Sequence, residues 1–192
     1  MCSSDLPAAV RLRRLEEEFG DSLVLEHRAF PLRPAPDPTA SFKGTYREQA
    51  WLRCGEMAKP DGIAFNPWPH AEHYPNWSLP GLEAAKCAAL QGPEAFDRLH
   101  LRLYRSFFTE SRDIAEPAEV VKIAGEAGLD AQRFLADYRD GAGRDGVVKD
   151  YTEAVEEGVR SIPTVVFPDT GRALVGLVDF EQYRAAIAEV AH

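Results

Sequence analysis

The sequence predicts an α/β fold in which a small mixed core is split in two by a long block of helices. Three observations carry this. A helical pattern followed by a strand pattern opens the chain at 7–30. A strand–turn–strand–helix run closes it from 161 onward. Between 45 and 142 every periodic stretch has helical spacing and none alternates like a strand.

Taken in order, 7–19 is an amphipathic helix. Ala8, Leu12, Leu15 and Phe19 share one face, while Arg11, Arg13, Arg14 and the acidic 16–18 run take the other. Pro7 suits its first turn and Gly20 its left-handed stop. Residues 23–30 are rich in branched apolar side chains and end at Pro31, which predicts a strand. Four prolines make 31–44 a loop. Helices are predicted at 46–57, 81–90, 93–108, 117–127, 130–138 and 144–157, with Gly128 and Gly158 as stops. The 59–80 stretch is Pro-rich and carries Phe65, Trp68, Tyr74 and Trp77; loops of this length inside compact domains are commonly lids or binding loops. Near the end, 161–167 is a strand, 168–171 (PDTG) a turn and 172–178 a second strand. Asp179 then caps a final helix, with Gln182 three residues on completing a capping box.

Composition narrows the function. The chain has 192 residues, 45% hydrophobic and 28% charged, the balance of a soluble globular protein. Its 22 Lys and Arg against 31 Asp and Glu give a net charge of −9, which argues against nucleic acid as a partner. No apolar run reaches the roughly 18–20 residues a membrane span requires, and no secretory pattern opens the chain, so a cytoplasmic protein without a membrane partner is expected. The three cysteines, Cys2, Cys54 and Cys87, form no CxxC pair; Cys54 and Cys87 lie in helical patterns and read as small buried hydrophobes. His70 and His73 form an isolated HxxH, too weak to assign a metal, while His27 and His100 read as structural. Trp68, Tyr74 and Trp77 either line a groove or close the helical block onto the core.

Several stretches resemble one family in order along the chain: 8–15 (AAVRLRRL), 28–32 (RAFPL), 103–114 (LYRSFFTESRDI), 127–130 (AGLD) and 159–164 (VRSIPT). Together with the element order, they resemble the DsbA-like thioredoxin-fold thiol–disulfide oxidoreductases, in the FrnE-type branch, over about residues 7–190. The resemblance implies a thioredoxin-like core at 7–44 and 143–192 and a helical insertion at 45–142. It implies a cis Ile162–Pro163 bond, with Ile162, Pro163 and Thr164 offering a backbone edge to substrate and Trp68 and Trp77 beside it. It implies no cofactor, and protein or small thiol–disulfide substrates.

The family's CxxC falls on residues 2–6, where Cys2 matches the first cysteine, Asp5 stands at the second, and the preceding strand is missing. Thiolate chemistry needs the first cysteine at a helix N-terminus, and resolution needs the second. This chain is therefore expected to be inactive in a CxxC cycle. Residues 1–6 are read as non-native, because GTG-TGC-TCT-TCC-GAT-CT, the end of a common sequencing adapter, translates from an alternative start to this hexapeptide. The competing readings are a glutathione-dependent isomerase resembling 2-hydroxychromene-2-carboxylate isomerase, with glutathione as cofactor, and a redox-inactive binding module of the same fold.

Overall fold

The structure, a computed structural model, describes residues 1–69 and 74–190. Among these described residues, eight helices run α1 (Asp5–Phe19), α2 (Tyr46–Ala58), α3 (Leu79–Ala89), α4 (Pro93–Phe108), α5 (Pro117–Glu126), α6 (Ala131–Arg139), α7 (Arg144–Glu156) and α8 (Phe180–Ala188), with β1 (Thr164–Phe167) and β2 (Arg172–Val175) before the last. Short 3₁₀ turns follow α1 at Gly20–Ser22 and α2 at Lys59–Asp61.

Local chemistry sets the ends. Gly20 leaves α1 at φ 53°, and its N–H reaches back to the Glu16 carbonyl. The Asp130 carboxylate accepts the N–H groups of Gln132 and Arg133 to start α6. Asp179 and Gln182 form the expected reciprocal capping box at α8.

Two apolar cores share α1. Leu6 and Ala9 face the larger one, built from the helical block around Trp51, Leu99, Leu103, Phe107 and Phe108. Ala8, Leu12 and Leu15 face the smaller one, with Phe167 of β1 and Tyr183, Ala186 and Ile187 of α8. The helix is buried on two sides, which explains why its apolar residues spread beyond one narrow stripe. Arg11 lies between the cores at 4% exposure. Its guanidinium donates to Asp61 (2.9 Å), to the Met57 carbonyl (2.9 Å) and to the Val178 carbonyl (2.7 Å).

The strand predicted at 23–30 is corrected. The segment is extended, and its burial alternates, with 23, 25, 27 and 29 turned inward and Val24 90% exposed. It belongs to no sheet among the described residues, because the one sheet pairs β1 only with β2, antiparallel, Thr164 opposite Val175 and Phe167 opposite Arg172. An extended chain without a neighbouring strand has no ladder to join. A carboxylate serves one of its N–H groups instead: Asp150 of α7, 4% exposed, accepts from Ala29 at 2.6 Å and pairs with Lys86 of α3 at 2.5 Å. Both hairpin strands are also shorter than predicted. Residues 161–163 bend before β1 begins, and Gly176 at φ 83° turns the chain out of β2.

α7 docks on α3 through Gly143. A methyl group there would lie 2.3 Å from the Glu83 carbonyl oxygen and 3.1 Å from Cys87 Sγ. Gly143→Ala should force α7 off α3 and lower stability by about 1–3 kcal/mol, read as an earlier urea midpoint with an unchanged slope. Arg11→Ala should cost more, about 3–5 kcal/mol, because it strands the Asp61 carboxylate in a buried site. In that case the double variant Arg11→Leu/Asp61→Leu should be less destabilised than the sum of the two single changes, measured in a double-mutant cycle.

Candidate functional site

α1 begins at the segment that the sequence marks for thiol chemistry. Cys2 sits one turn before it, half-buried, its carbonyl accepting the Asp5 N–H at 3.0 Å. The thiol lies 3.1 Å from the Ser4 hydroxyl. Exposed N–H groups and the positive end of the dipole make a helix start a favourable place for an attacking sulfur. Neighbouring Ser3 donates to the Cys54 sulfur at 3.3 Å. Burial pushes the Cys54 thiol up, and burial pushes Cys87 up to about 11, so both are poor nucleophiles at neutral pH, in keeping with their buried helical positions.

Asp5 occupies the position three residues after Cys2 and is 8% exposed. One carboxylate oxygen accepts the Cys2 N–H at 2.6 Å, while the other has no hydrogen-bond partner. Burial raises its pKa to about 6, opposed by the nearby Met1 amine and by the Cys2 N–H. Sequence reading missed this burial, since a carboxylate beside a chain start normally faces water. The Met1 amine is itself lowered by burial.

The second predicted feature is present. The Ile162–Pro163 peptide is cis. The Pro163 carbonyl accepts the Gly176 N–H at 2.8 Å, and the Thr164 hydroxyl donates to the Ser161 carbonyl at 2.7 Å. Ile162, Pro163 and Thr164 are all half-buried, and β1 is paired on one side only. No hydrogen bond joins these residues to Cys2; the two segments are related through the smaller core, where α1 packs with Val165 and Phe167.

The two tryptophans part company. Trp68 is 2% exposed and packs against Tyr74 and Phe107, with ring centroids 5.6 and 5.7 Å away. It closes the helical block rather than walling a groove. Trp77 is half-buried, donates from Nε1 to the Pro34 carbonyl at 3.3 Å, and lines an open cleft beside α3, α5 and α6. His70 and His73 lie outside the described residues. His27 and His100 pack edge-on at 5.0 Å against each other and around Phe96. Burial lowers His27 to about 4 and His100 well below the usual histidine value, so both are neutral structural rings at pH 7. Among the described residues no cluster of three or more His, Cys, Asp or Glu is placed to hold a metal, and no helix is long and apolar enough to cross a membrane.

The family model described as a DSBA-like thioredoxin domain matches residues 7–188. The ClpXP adapter protein SpxH of Shouchella clausii is 30% identical over 104 residues, a stretch covering 54% of this chain but only 35% of that protein. A probable DsbA oxidoreductase from Streptomyces coelicolor superposes with a TM-score of 0.78 at 23% identity, over 98% of this chain and 85% of that one. The cytosolic disulfide reductase DsbM of Pseudomonas aeruginosa, also solved with glutathione, gives 0.69 at 19% identity, over 100% and 91%.

The raised pKa of Asp5 has a measurable sign. The unfolded carboxyl ionises near 3.8 and the folded one near 6, so between those values the folded state holds the extra proton. Stability should therefore fall as pH rises through that window, by an amount on the order of 1–3 kcal/mol. Asp5→Asn should flatten this part of the stability–pH curve, measured by urea unfolding from pH 3.5 to 7 in steps of about half a unit.

Proposed function

Because the chain belongs to the DSBA-like thioredoxin domain family, we propose that it serves thiol–disulfide exchange on protein or small-thiol substrates in the cytoplasm. The observation that carries this reading is the half-buried Cys2 thiol one turn before the start of α1. The cis Ile162–Pro163 step and the unpaired side of β1 supply an edge for an extended substrate chain. The cytosolic setting of DsbM supports the compartment.

Asp5 decides how far the reaction goes. The Cys2 thiolate attacks one sulfur of a substrate disulfide, a new S–S bond forms, and the other substrate sulfur leaves as thiolate. In a CxxC protein the second cysteine then attacks the mixed disulfide. Here that position holds a carboxylate bonded to the Cys2 N–H, which cannot take that part. Resolution falls to an external thiol. Glutathione is the candidate, since the DsbM relative has been solved with it.

The chain should take up one glutathione from glutathione disulfide, read by intact mass, and Cys2→Ser should abolish that adduct. Insulin reduction should stay near background with the chain as given. Asp5→Cys, which completes Cys-Ser-Ser-Cys and removes a buried carboxylate, should raise turnover at least about tenfold, in line with the part a resolving thiol plays. Turnover by the unaltered chain equal to that of Asp5→Cys, or an adduct that survives Cys2→Ser, would place the chemistry elsewhere.

A further inference from the structure

The cleft beside Trp77 belongs to the helical block and not to the thiol segment. It has a volume of about 530 Å³, within the range of small-molecule sites. Val121 of α5 and Leu135 of α6 contribute its aliphatic wall, and Trp77 and Tyr138 its aromatic one. The polar tips of both aromatic residues are already engaged. Tyr138 donates to the Pro80 carbonyl at 3.1 Å and its ring stacks on Phe134 at 5.5 Å, while the Trp77 indole N–H goes to Pro34. What they offer a ligand is ring surface.

Charge at the cleft is unbalanced. Glu83, with its side chain 8% exposed, is met by Arg144 at 2.7 Å, so those two charges offset each other. Arg139, at the last turn of α6, also lines the cleft and is exposed. Among the described residues it has no ion pair or hydrogen bond. One guanidinium without a protein partner therefore lines a cleft whose other two charges, Glu83 and Arg144, are paired with each other. A guanidinium fork matches a carboxylate in two parallel hydrogen bonds. A dianionic phosphate would bring a second negative charge toward Glu83, where the Arg144 charge is already taken up by that carboxylate. A single carboxylate fits the one spare charge.

From this geometry we infer that the cleft binds a small monocarboxylate with a flat apolar body, its ring between Trp77 and Tyr138 and its carboxylate on Arg139. The site is independent of Cys2, so the two readings stand or fall separately.

The test uses 2-naphthoate and its uncharged analogue 2-naphthamide, followed by calorimetry and by the three tryptophan indole signals in ¹H–¹⁵N spectra. Trp51 and Trp68 are each 2% exposed, so Trp77 alone should shift. Naphthoate should bind about tenfold or more tightly than naphthamide, the preference expected of a hydrogen bond to a charged group. Arg139→Gln, a surface change that leaves the fold's spectrum intact, should remove this preference without weakening the amide. Arg139→Lys should keep part of it, and Cys2→Ser should bind naphthoate like the parent chain. Equal binding of acid and amide, a preference that survives Arg139→Gln, or an unmoved Trp77 signal at millimolar naphthoate would overturn the assignment.

Discussion

A buried guanidinium without partners is costly, and Arg11 finds three hydrogen bonds with groups from separate stretches of chain. Met57 supplies a carbonyl from the last turn of α2, where helix carbonyls lack partners and a cation is favoured by the dipole. Asp61 supplies a carboxylate from the 3₁₀ turn after it, and Val178 a carbonyl from the approach to α8. Asp61 is itself 4% exposed and takes a second, longer contact from Arg14 at 3.4 Å. This arrangement fixes the rotation of α1. Turning the helix by one residue would carry Arg11 into an apolar core and strip Asp61 of its main partner. With the rotation fixed, Leu6 and Ala9 must face the helical block and Ala8, Leu12 and Leu15 the sheet side. The direction in which Cys2 and Asp5 leave the helix follows from that.

Features with local causes were legible in the sequence. Gly20 and the Asp179–Gln182 pair end or start helices through contacts within four residues, and the structure has both. The extended course of 23–30 was legible too, from its branched apolar residues and its stop at Pro31. Its pairing was not, because a ladder is a contact with a distant segment, and what Ala29 finds is the side chain of Asp150 on α7. Trp68 and Trp77 show the same limit from another side. They lie in one Pro-rich stretch with similar neighbours, yet the rings of Tyr74 and Phe107 enclose the first while the second is held at a cleft by the Pro34 carbonyl. The constraint on Gly143 was not legible either, since it is the Glu83 backbone, sixty residues earlier in the chain.

Candidate chemistry divides along the same line. The Ile162–Pro163 step and Cys2 were marked by the family resemblance of the sequence rather than by local pattern. The burial of Asp5 was not visible in the sequence; Asp5 is 8% exposed while its neighbours Met1 and Cys2 are half-buried. There Asp5 acts as a brace. It holds the Cys2 N–H at 2.6 Å and keeps the turn before α1 closed, at the expense of leaving one oxygen without a partner.

One helical turn connects this patch to the cleft. Pro80 lines the cleft and receives the Tyr138 hydroxyl, and the next residue, Gly81, has Met1 Cε 3.6 Å from where a side chain would begin. Ile114 stands at a similar distance on the same glycine. The first turn of α3 is thus a thin wall with an aromatic cleft on one side and the segment bearing Cys2 on the other. The two sites are distinct in chemistry, one a thiol and one a guanidinium beside aromatic rings, and the first turn of α3 stands between them.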